Sequence, residues 1–289
     1  MSPGLTPGFG AAMNDDEPAD FHREPSGSFI APLGRALAIL SSFPPQERWL
    51  AVSDIALRTR TPVSTAARLL KSLAVLGYVR HCEQRRKYRL TAAVLSLGYA
   101  ANTNTVIQQA ALGGMRALAQ EGGVCVVLGS RDRLDVVVLE SCRAENSQRA
   151  AAPDPAIPVG TRLSLAESPM GWALLAALPK LEHQYLLDSL ERRQKREWPR
   201  VRRRLSEAIF QVHEKGFCTS LSEWDSEISV VAAPLMVQGR APMAVACIGH
   251  SAKMTRASIE RNLGPRLIGL VEGLQEAGFL EEHDGHVRY

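Results

Sequence analysis

The sequence predicts an α+β protein with two folded domains, the first of which is a winged helix-turn-helix. Three short helical patterns and a charged hairpin pattern fill residues 30–91. In residues 122–277, β-rich runs at both ends enclose helical segments, which is typical of an α+β domain with a central antiparallel sheet. Positive charge is concentrated in the first domain. Residues 30–91 hold eleven Lys and Arg against three Asp and Glu, whereas residues 92–289 hold 22 of each.

Two short helices open the first domain. Residues 32–43 are expected to be helical, with an inward stripe formed by Leu33, Ala36, Leu37 and Leu40. A second helix is expected over residues 52–60, with Ser53 as its N-cap. Its predicted inward residues are Ile55, Ala56 and Leu57.

A third helix and a hairpin complete the first domain. Pro62 suits the start of a helix over residues 62–76, and Gly77 suits its end. Residues 78–90 then read as two short strands around a charged turn at residues 83–86. Three helices followed by a basic hairpin outline a winged helix-turn-helix. The predicted inner stripe of the third helix is Val63, Ala66, Ala67, Leu70, Leu73 and Ala74.

The outward face of the third helix carries hydroxyls and cations but no acid. Ser64, Thr65, Arg68 and Lys71 share this face, because they are spaced by one, three and four residues. Major-groove recognition uses such side chains near a helix N-terminus, and acids there would be repelled by DNA. We therefore predict that Ser64, Thr65 and Arg68 read bases and that Lys71 contacts phosphate. The alternatives for Arg68 are a solvated side chain or a pair with Asp54.

The hairpin adds further positive charge beside this helix. A wing of this charge is suited to lie along a phosphate backbone or to enter the minor groove. Double-stranded DNA is accordingly the expected partner. A module that binds protein instead of DNA is the alternative, and such a module has no need of so basic a segment. The predicted wing contacts are Arg80, Arg85, Arg86 and Lys87.

The rest of the chain divides into a linker, a second domain and two tails. Residues 92–121 are expected to form linking helices that also pair with a second copy, and residues 278–289 are expected to form a C-terminal tail. Residues 1–29 hold one basic and five acidic residues and are expected to be disordered. The arginine-rich stretch at residues 191–204 is expected to be a solvated helix face, because apolar residues at helical spacing give that helix a separate inner stripe.

Several classes of protein are excluded by what the sequence lacks. No apolar run approaches the roughly 18–20 residues that span a bilayer. The five cysteines include no CxxC pair, which argues against a disulfide framework and a zinc site and favours a reducing cytoplasm. No nucleophile elbow, P-loop, HExxH or dinucleotide-binding motif is present. We expect neither an enzyme nor a cofactor.

Three segments resemble the IclR-type transcriptional regulators. The first is LAVSDIALRTRTPVSTAARLLKSLAVLGYV with the wing ending KYRL, which matches the family's Ser-Thr and Arg-Leu-Leu pattern. The others are GTRLSLAESPMGWALLAAL, with a Met-Gly pair, and GFCTSLSEWDSEISVVAAPLMVQGRAPMAVACIGHS. The resemblance covers about residues 30–277. Trp172 stands where many members carry Lys or Arg, and Glu227 stands where many carry Gly.

The resemblance implies a GAF-like effector-binding domain over residues 122–277. It also implies a homodimer, or a dimer of dimers, on a palindromic operator. The effector would be a small organic acid, and two segments resemble the branch that controls aromatic-acid catabolism. Arg162, Ser168, Ser229 and His250 are candidate polar neighbours, and amides at the start of the 169–178 helix suit a carboxylate. The implied effector site is Pro169, Met170, Ser220, Val230, Cys247 and Gly249.

Overall fold

The chain divides into two compact units, and the boundary along the sequence falls within one helix. A computed structural model describes residues 30–44, 47–102, 106–144, 155–225, 227–237 and 240–284. The first unit ends at Leu95 and the second begins at Ser96. The predicted disordered tail, residues 1–29, lies outside the described residues.

The first unit is a winged helix-turn-helix, as predicted. Its three-stranded sheet has the order β1-β3-β2, with β3 antiparallel to both neighbours. The hairpin of β2 and β3 follows directly after the third helix. The elements are α1 (Ala31–Ser41), β1 (Leu50–Ala51), α2 (Val52–Arg58), α3 (Val63–Val75), β2 (Val79–Cys82) and β3 (Lys87–Leu90).

Helix α1 buries a different face from the predicted one. Leu33 and Leu37 are 57% and 54% exposed, whereas Ile39 is fully buried. Ala36 and Leu40 pack partly against the same core. The helix is apolar on two adjacent faces, so periodicity alone did not decide which face turns inward. The tertiary contact with α3 decides it.

Three smaller predictions in α2 and α3 were also wrong. The N-cap of α2 is Ala51 and not Ser53, because the Asp54 carboxylate accepts a hydrogen bond from the Ala51 amide at 3.1 Å. Leu57 is 80% exposed and Val63 is 57% exposed, so neither belongs to an inner stripe. The end of α3 is as expected, with Gly77 in the left-handed region at φ +83°.

The second unit is built on a six-stranded antiparallel sheet. The strand order is β6-β5-β4-β9-β8-β7, so β6 and β7 are the edges. The predicted antiparallel sheet is confirmed. Its strands are β4 (Cys125–Asp132), β5 (Asp135–Arg143), β6 (Arg162–Ser164), β7 (Cys218–Asp225), β8 (Ile228–Leu235) and β9 (Met243–His250).

Helices cover both faces of this sheet. Helices α6 to α8 contribute to the core on one face, and α5 and α10 cover the other. Alternation along each strand sets the two cores: Val230 and Ile248 face α6, whereas Val231 and Cys247 face α10. The helices are α4 (Ala92–Asn102), α5 (Val106–Gly122), α6 (Pro169–Ala177), α7 (Lys180–Arg193), α8 (Trp198–Lys215), α9 (Arg256–Ser258), a π-helical turn (Ile259–Leu263) and α10 (Gly264–Asp284).

The predicted linker is shorter than expected. Helix α4 crosses the boundary between the units. Helix α5 packs on the second sheet, because Ala111, Met115 and Ala119 are fully buried there. It is therefore part of the second unit. At the other end, α10 continues past the predicted end at residue 277 to Asp284.

Two further observations concern the described ranges as a whole. None of their helices combines the length and hydropathy that a membrane crossing requires. No group of three or more His, Cys, Asp or Glu side chains within them is placed to hold a metal ion.

Candidate nucleic-acid interface and effector site

The predicted reading face of α3 points away from the core. Ser64, Arg68 and Lys71 are exposed and Thr65 is half-buried. The opposite face holds Leu70, which is fully buried. Since the apolar side of the helix is buried, the hydroxyls and cations remain available to a ligand.

The turn between α2 and α3 fixes the direction of this helix. Arg60 adopts the left-handed region at φ +49°, and the amide of the buried Thr61 donates to the carbonyl of Ala56 at 2.9 Å. At the far end, the amide of Tyr78 donates to the carbonyl of Leu73 at 2.9 Å and joins α3 to the wing. The reading helix is therefore held by backbone hydrogen bonds at both ends.

Arg68 is not paired with Asp54. The Asp54 carboxylate accepts from the Ala51 amide and from the Ser53 hydroxyl, the latter at 3.4 Å. Among the described residues of the first unit, Arg58 is the one arginine in an ion pair, and its partner is Glu47. The predicted DNA-contacting cations of α3 and the wing thus form no ion pair with another described residue.

The wing places its cations close together. Arg80, Arg85, Arg86 and Lys87 are all exposed, and Arg86 turns the hairpin at φ +50°. Arg80 lies opposite Arg89 as its register partner. Like charges directly opposite one another destabilise a strand pair, so an anion beside both residues would stabilise the hairpin.

Trp49 organises the wing and was not predicted to take part. The guanidinium carbons of Arg85 and Arg89 lie 5.6 and 5.1 Å from the centroid of its ring. A cation over an aromatic face is attracted by the ring quadrupole. Trp49 therefore restrains two arginine side chains that would otherwise sample many rotamers. In the sequence, this role of Trp49 was indicated only by its position just before a short strand.

In the second unit, the start of α6 is tightly built. The Ser168 hydroxyl accepts from the Gly171 amide at 3.1 Å and donates to the Ser164 carbonyl at 2.6 Å. A Cβ on Gly171 would lie 2.1 Å from the carbonyl oxygen of Leu165. Position 171 therefore requires glycine, because the preceding loop crosses the helix at contact distance.

Trp172 is a core residue. It is 3% exposed, and its Nε1 donates to the carbonyl of Ala166 at 2.6 Å. The indole thereby fixes the loop that precedes α6. The residue that departs from the family pattern contributes packing at this position and no charge.

Four of the six implied effector residues lie on the α6 side of the sheet. Pro169 and Met170 open α6, and Val230 faces it from β8. The Cys218 thiol donates to the Pro169 carbonyl at 3.4 Å, which ties β7 to the start of α6. Ser220, two residues further along β7, is fully buried, and its hydroxyl has no hydrogen-bond partner among the described residues.

Cys247 and Gly249 do not join this group, which corrects the predicted site. Both lie on the face of β9 that packs against α10 and its neighbours. Cys247 belongs to that second core, and burial raises the pKa of its thiol. A Cβ on Gly249 would lie 2.8 Å from the Met254 sulfur and 3.2 Å from Cγ1 of Val124. Strand alternation places them opposite Ile248, which faces α6.

Most of the side chains that were predicted as polar neighbours of the effector site already have partners within the protein. Arg162 forms ion pairs with Asp132 at 2.8 Å and Asp135 at 3.1 Å. The Ser229 hydroxyl donates to that of Ser251 at 3.1 Å. His250 also has an interaction partner. These side chains are not free to receive an acid.

Among the described residues, one amide in the first turn of α6 has no hydrogen-bond acceptor. Pro169 has no N–H. The Gly171 amide donates to Ser168 Oγ, and the Trp172 amide donates to the Ser168 carbonyl at 3.0 Å. Within the part of the chain that the structure describes, Met170 therefore offers the remaining N–H of this first turn.

An acid-free reading helix, a basic wing and a second domain with a buried polar group define a DNA-binding transcriptional regulator with a ligand-binding domain. The family model described as "IclR helix-turn-helix domain" matches residues 32–82. The model described as "Bacterial transcriptional regulator IclR C-terminal" matches residues 99–272. The chain belongs to the IclR family of transcriptional regulators. The resemblance seen in the sequence is confirmed, and the protein-binding alternative is not supported.

Curated relatives agree along most of the chain. The HTH-type transcriptional regulator TsaQ1/TsaQ2 of Comamonas testosteroni is 29% identical, over 88% of this chain and 90% of that protein. The Pca regulon regulatory protein of Pseudomonas putida is 26% identical, over 83% and 81%.

Solved structures show the same architecture. An IclR family regulator from Brucella abortus is 32% identical, with a TM-score of 0.77 and coverage of 89% of this chain and 95% of that one. An IclR homologue from Microbacterium hydrocarbonoxydans, complexed with 4-hydroxybenzoate, has a TM-score of 0.63. At 18% identity, over 86% of this chain and 100% of that one, this second likeness concerns the fold alone.

Proposed function

We propose that this regulator reads its operator with α3, holds the phosphates with its wing, and changes its DNA affinity when the second domain binds a small organic acid. The observation that carries the first part is the exposed, acid-free face of α3 beside wing cations that form no ion pair with another described residue. The protein acts by binding and not by catalysis, in the cytoplasm.

Each predicted DNA contact has a distinct role. Ser64 and Thr65 stand in the first turn of α3 and suit hydrogen bonds to base edges or phosphate. Arg68, one turn later, suits a bidentate contact with guanine. Lys71 and the wing cations suit phosphate, which positions the protein without reading sequence.

A test of this function uses a promoter duplex that the wild-type protein selects from a random pool. The double variant Arg68→Ala with Arg85→Ala is expected to lose binding to that duplex in a fluorescence anisotropy titration. The matched control removes two exposed arginines from α8, Arg202→Ser and Arg203→Ser, and is expected to bind as wild type. Unchanged binding by the α3 and wing variant would overturn the proposal.

The effector site is proposed between the first turn of α6 and strands β7 and β8. An acid placed there meets two donors that lack acceptors among the described residues, the Met170 amide and the Ser220 hydroxyl, and an apolar wall at Val230. A buried hydroxyl without a partner costs roughly 1–3 kcal/mol, which a bound acid would recover. The neighbour complexed with 4-hydroxybenzoate supports the view that this fold can hold an aromatic acid.

A thermal-shift screen against small organic and aromatic acids tests this site. A ligand at about 100 times its Kd should stabilise the fold by about 2.7 kcal/mol. Ser220→Ala should reduce the shift produced by the best acid, whereas Ser189→Ala, which removes a half-buried hydroxyl on α7, should not. If no acid stabilises the wild-type protein, the effector class is wrong.

A homodimer on a palindromic operator is proposed for the assembly. The uncovered stripe of α1 supports it, because Ile30, Leu33 and Leu37 are each more than half exposed and recur at helical spacing. Leu95 in α4 is 74% exposed in the same unit. A two-fold pair of winged helices would read half-sites about one helical turn apart.

A further inference from the structure

The chain carries a short acidic stretch just before its basic DNA-binding unit. Residues 15–24, the acidic segment, lie outside the described residues and hold five acids against one arginine. Residues 30–91, by contrast, hold eleven basic and three acidic residues, a net charge of +8. Two opposite charges of several units are therefore joined in one chain. The five acids are Asp15, Asp16, Glu17, Asp20 and Glu24.

The positive charge of the first unit is left on one part of its surface. Glu47 pairs with Arg58, and the Asp54 carboxylate accepts from the amide of Ala51, so neither acid neutralises α3 or the wing. The third acid, Glu83, lies in the wing turn and is outnumbered there. Seven cations of α3 and the wing are exposed and form no ion pair with another described residue. They are Arg68, Lys71, Arg80, Arg85, Arg86, Lys87 and Arg89.

The acidic segment is close enough along the chain to reach these cations. Its last acid, Glu24, stands six residues before Ile30, the N-cap of α1, and its first, Asp15, stands fifteen residues before it. A chain spans at most about 3.3–3.6 Å per residue, so the acids reach roughly 20 to 50 Å from Ile30. A unit of this size has a radius of gyration of about 11 Å. The length of the connection therefore allows contact with any face of the first unit.

The covalent connection also favours this contact energetically. A short linker holds a ligand at an effective concentration in the millimolar range. One exposed ion pair stabilises a contact only slightly, but five acids meet a surface of seven cations here. The Arg80 and Arg89 pair adds to this preference, because the two side chains lie opposite each other and an anion beside them relieves their repulsion.

The arginine-rich stretch at residues 191–204 is a weaker candidate for the same segment. Two glutamates lie within it. Arg193 already pairs with Asp135 at 3.7 Å, and Lys195 and Arg204 each have an interaction partner. This stretch also belongs to the second unit, whereas the acidic segment is joined directly to the first. Charge and connection both favour α3 and the wing.

We propose that the acidic segment lies against α3 and the wing of its own copy when no DNA is bound, and that it competes with DNA for their cations. The inference rests on the proposed function, since the segment covers the proposed DNA-binding surface. Only the uncovered fraction of the protein binds DNA, so a segment bound about nine-tenths of the time raises the apparent Kd about tenfold. The factor is the same for every duplex, and it decreases as salt screens the exposed charges.

Neutralising the segment tests this competition in the full-length protein. A variant with all five acids changed to Asn or Gln should bind both the selected and the scrambled duplex about tenfold more tightly at low salt. The ratio of the two affinities should not change, and the difference from wild type should shrink as the salt concentration rises. The variant is Asp15→Asn, Asp16→Asn, Glu17→Gln, Asp20→Asn and Glu24→Gln.

A matched control removes five acids from the second unit and changes the net charge by the same amount. All five are exposed glutamates, and the control should bind both duplexes as the wild type does. Unchanged affinity in the neutral-segment variant at low salt, or an equal gain in the control, would overturn the proposal. The control is Glu191→Gln, Glu207→Gln, Glu214→Gln, Glu272→Gln and Glu276→Gln.

NMR on the ¹⁵N-labelled full-length protein follows the segment itself, with no DNA present. In Arg86→Ala with Lys87→Ala, the amide signals of residues 15–24 should move toward the positions that they take at high salt. In Arg202→Ser with Arg203→Ser they should stay as in the wild type. Signals that move only in this second variant would place the segment on α8 and overturn the proposal. Because this experiment contains no DNA, its failure is distinct from a failure of the DNA contacts, which the anisotropy titration above detects.

Discussion

Arg80 and Arg89 face each other as register partners across the wing hairpin, with no carboxylate from the described residues between them. Two positive charges on directly opposite residues destabilise the strand pair, and a phosphate near both would relieve the repulsion. The repulsion therefore costs the hairpin some stability, which is expected where function and folding compete for the same residues, as the proposed phosphate contacts of the wing imply.

The first prediction concerns this pair. Arg80→Thr should raise the free energy of unfolding by about 0.2–1 kcal/mol, because it removes a cross-strand repulsion. The same change should weaken binding to unrelated DNA and reduce the slope of log K against log salt by about one contact. Urea denaturation and anisotropy titrations at several salt concentrations measure the two effects. A loss of stability would contradict the account of the wing.

The second prediction concerns Trp49. Trp49→Ala should weaken DNA binding several-fold, because Arg85 and Arg89 lose the ring that restrains them. Cation–π contacts at exposed sites contribute about 0.5–1 kcal/mol each. Trp49→Phe keeps an aromatic face and is the matched control, with most of the affinity retained. Equal losses in the two variants would show that the indole acts through packing alone.

The third prediction concerns the loop against α6. Gly171→Ala should destabilise the fold by about 3 kcal/mol or more, at the upper end for overpacking, because the new Cβ meets the Leu165 carbonyl. Gly273→Ala in α10 is the control. That position is exposed with open space around it, so alanine should stabilise the helix by about 0.5–1 kcal/mol. Thermal denaturation of both variants distinguishes a steric effect from a general one.

The fourth prediction concerns pH. Burial raises the pKa of the Cys218 thiol to about 12, whereas an unfolded thiol ionises near 8.5, roughly. Between these two pKa values, the folded protein therefore keeps a thiol proton that the unfolded chain has released. Its contribution to stability is complete below the unfolded pKa and is lost as the pH rises toward 12. Between pH 8 and pH 10, the free energy of unfolding should fall less steeply in Cys218→Ala than in the wild type. An equally steep fall would show that the Cys218 thiol does not contribute.

Most of the architecture followed from local patterns, and the exceptions have physical causes. The three helices, the wing and the β-rich runs were predictable because capping residues, glycine and strand alternation act over a few residues. The buried face of α1 was not, because Leu33 and Ile39 are equally apolar and only the packing against α3 distinguishes them.

The candidate sites show the same division. The outward position of Ser64 and Arg68 followed from helical spacing. The resemblance to a family placed Cys247 in the effector site, but strand alternation turns this residue toward α10. Trp49 reaches the wing only through the folded sheet, since Leu50 pairs with Tyr88 far along the chain. Contacts between distant segments thus account for what the sequence did not predict.

Helix α3 is proposed to read sequence, and the wing is proposed to hold phosphate. The most direct test measures dissociation constants for a selected promoter duplex and a scrambled duplex, at several salt concentrations, for Arg68→Ala and for Arg86→Ala with Lys87→Ala. Arg68→Ala is expected to lower the ratio of specific to non-specific affinity, with a discrimination loss of about 1–3 kcal/mol. The wing variant should weaken both duplexes alike and reduce the salt slope. Uniform weakening by Arg68→Ala, with the ratio unchanged, would contradict the account.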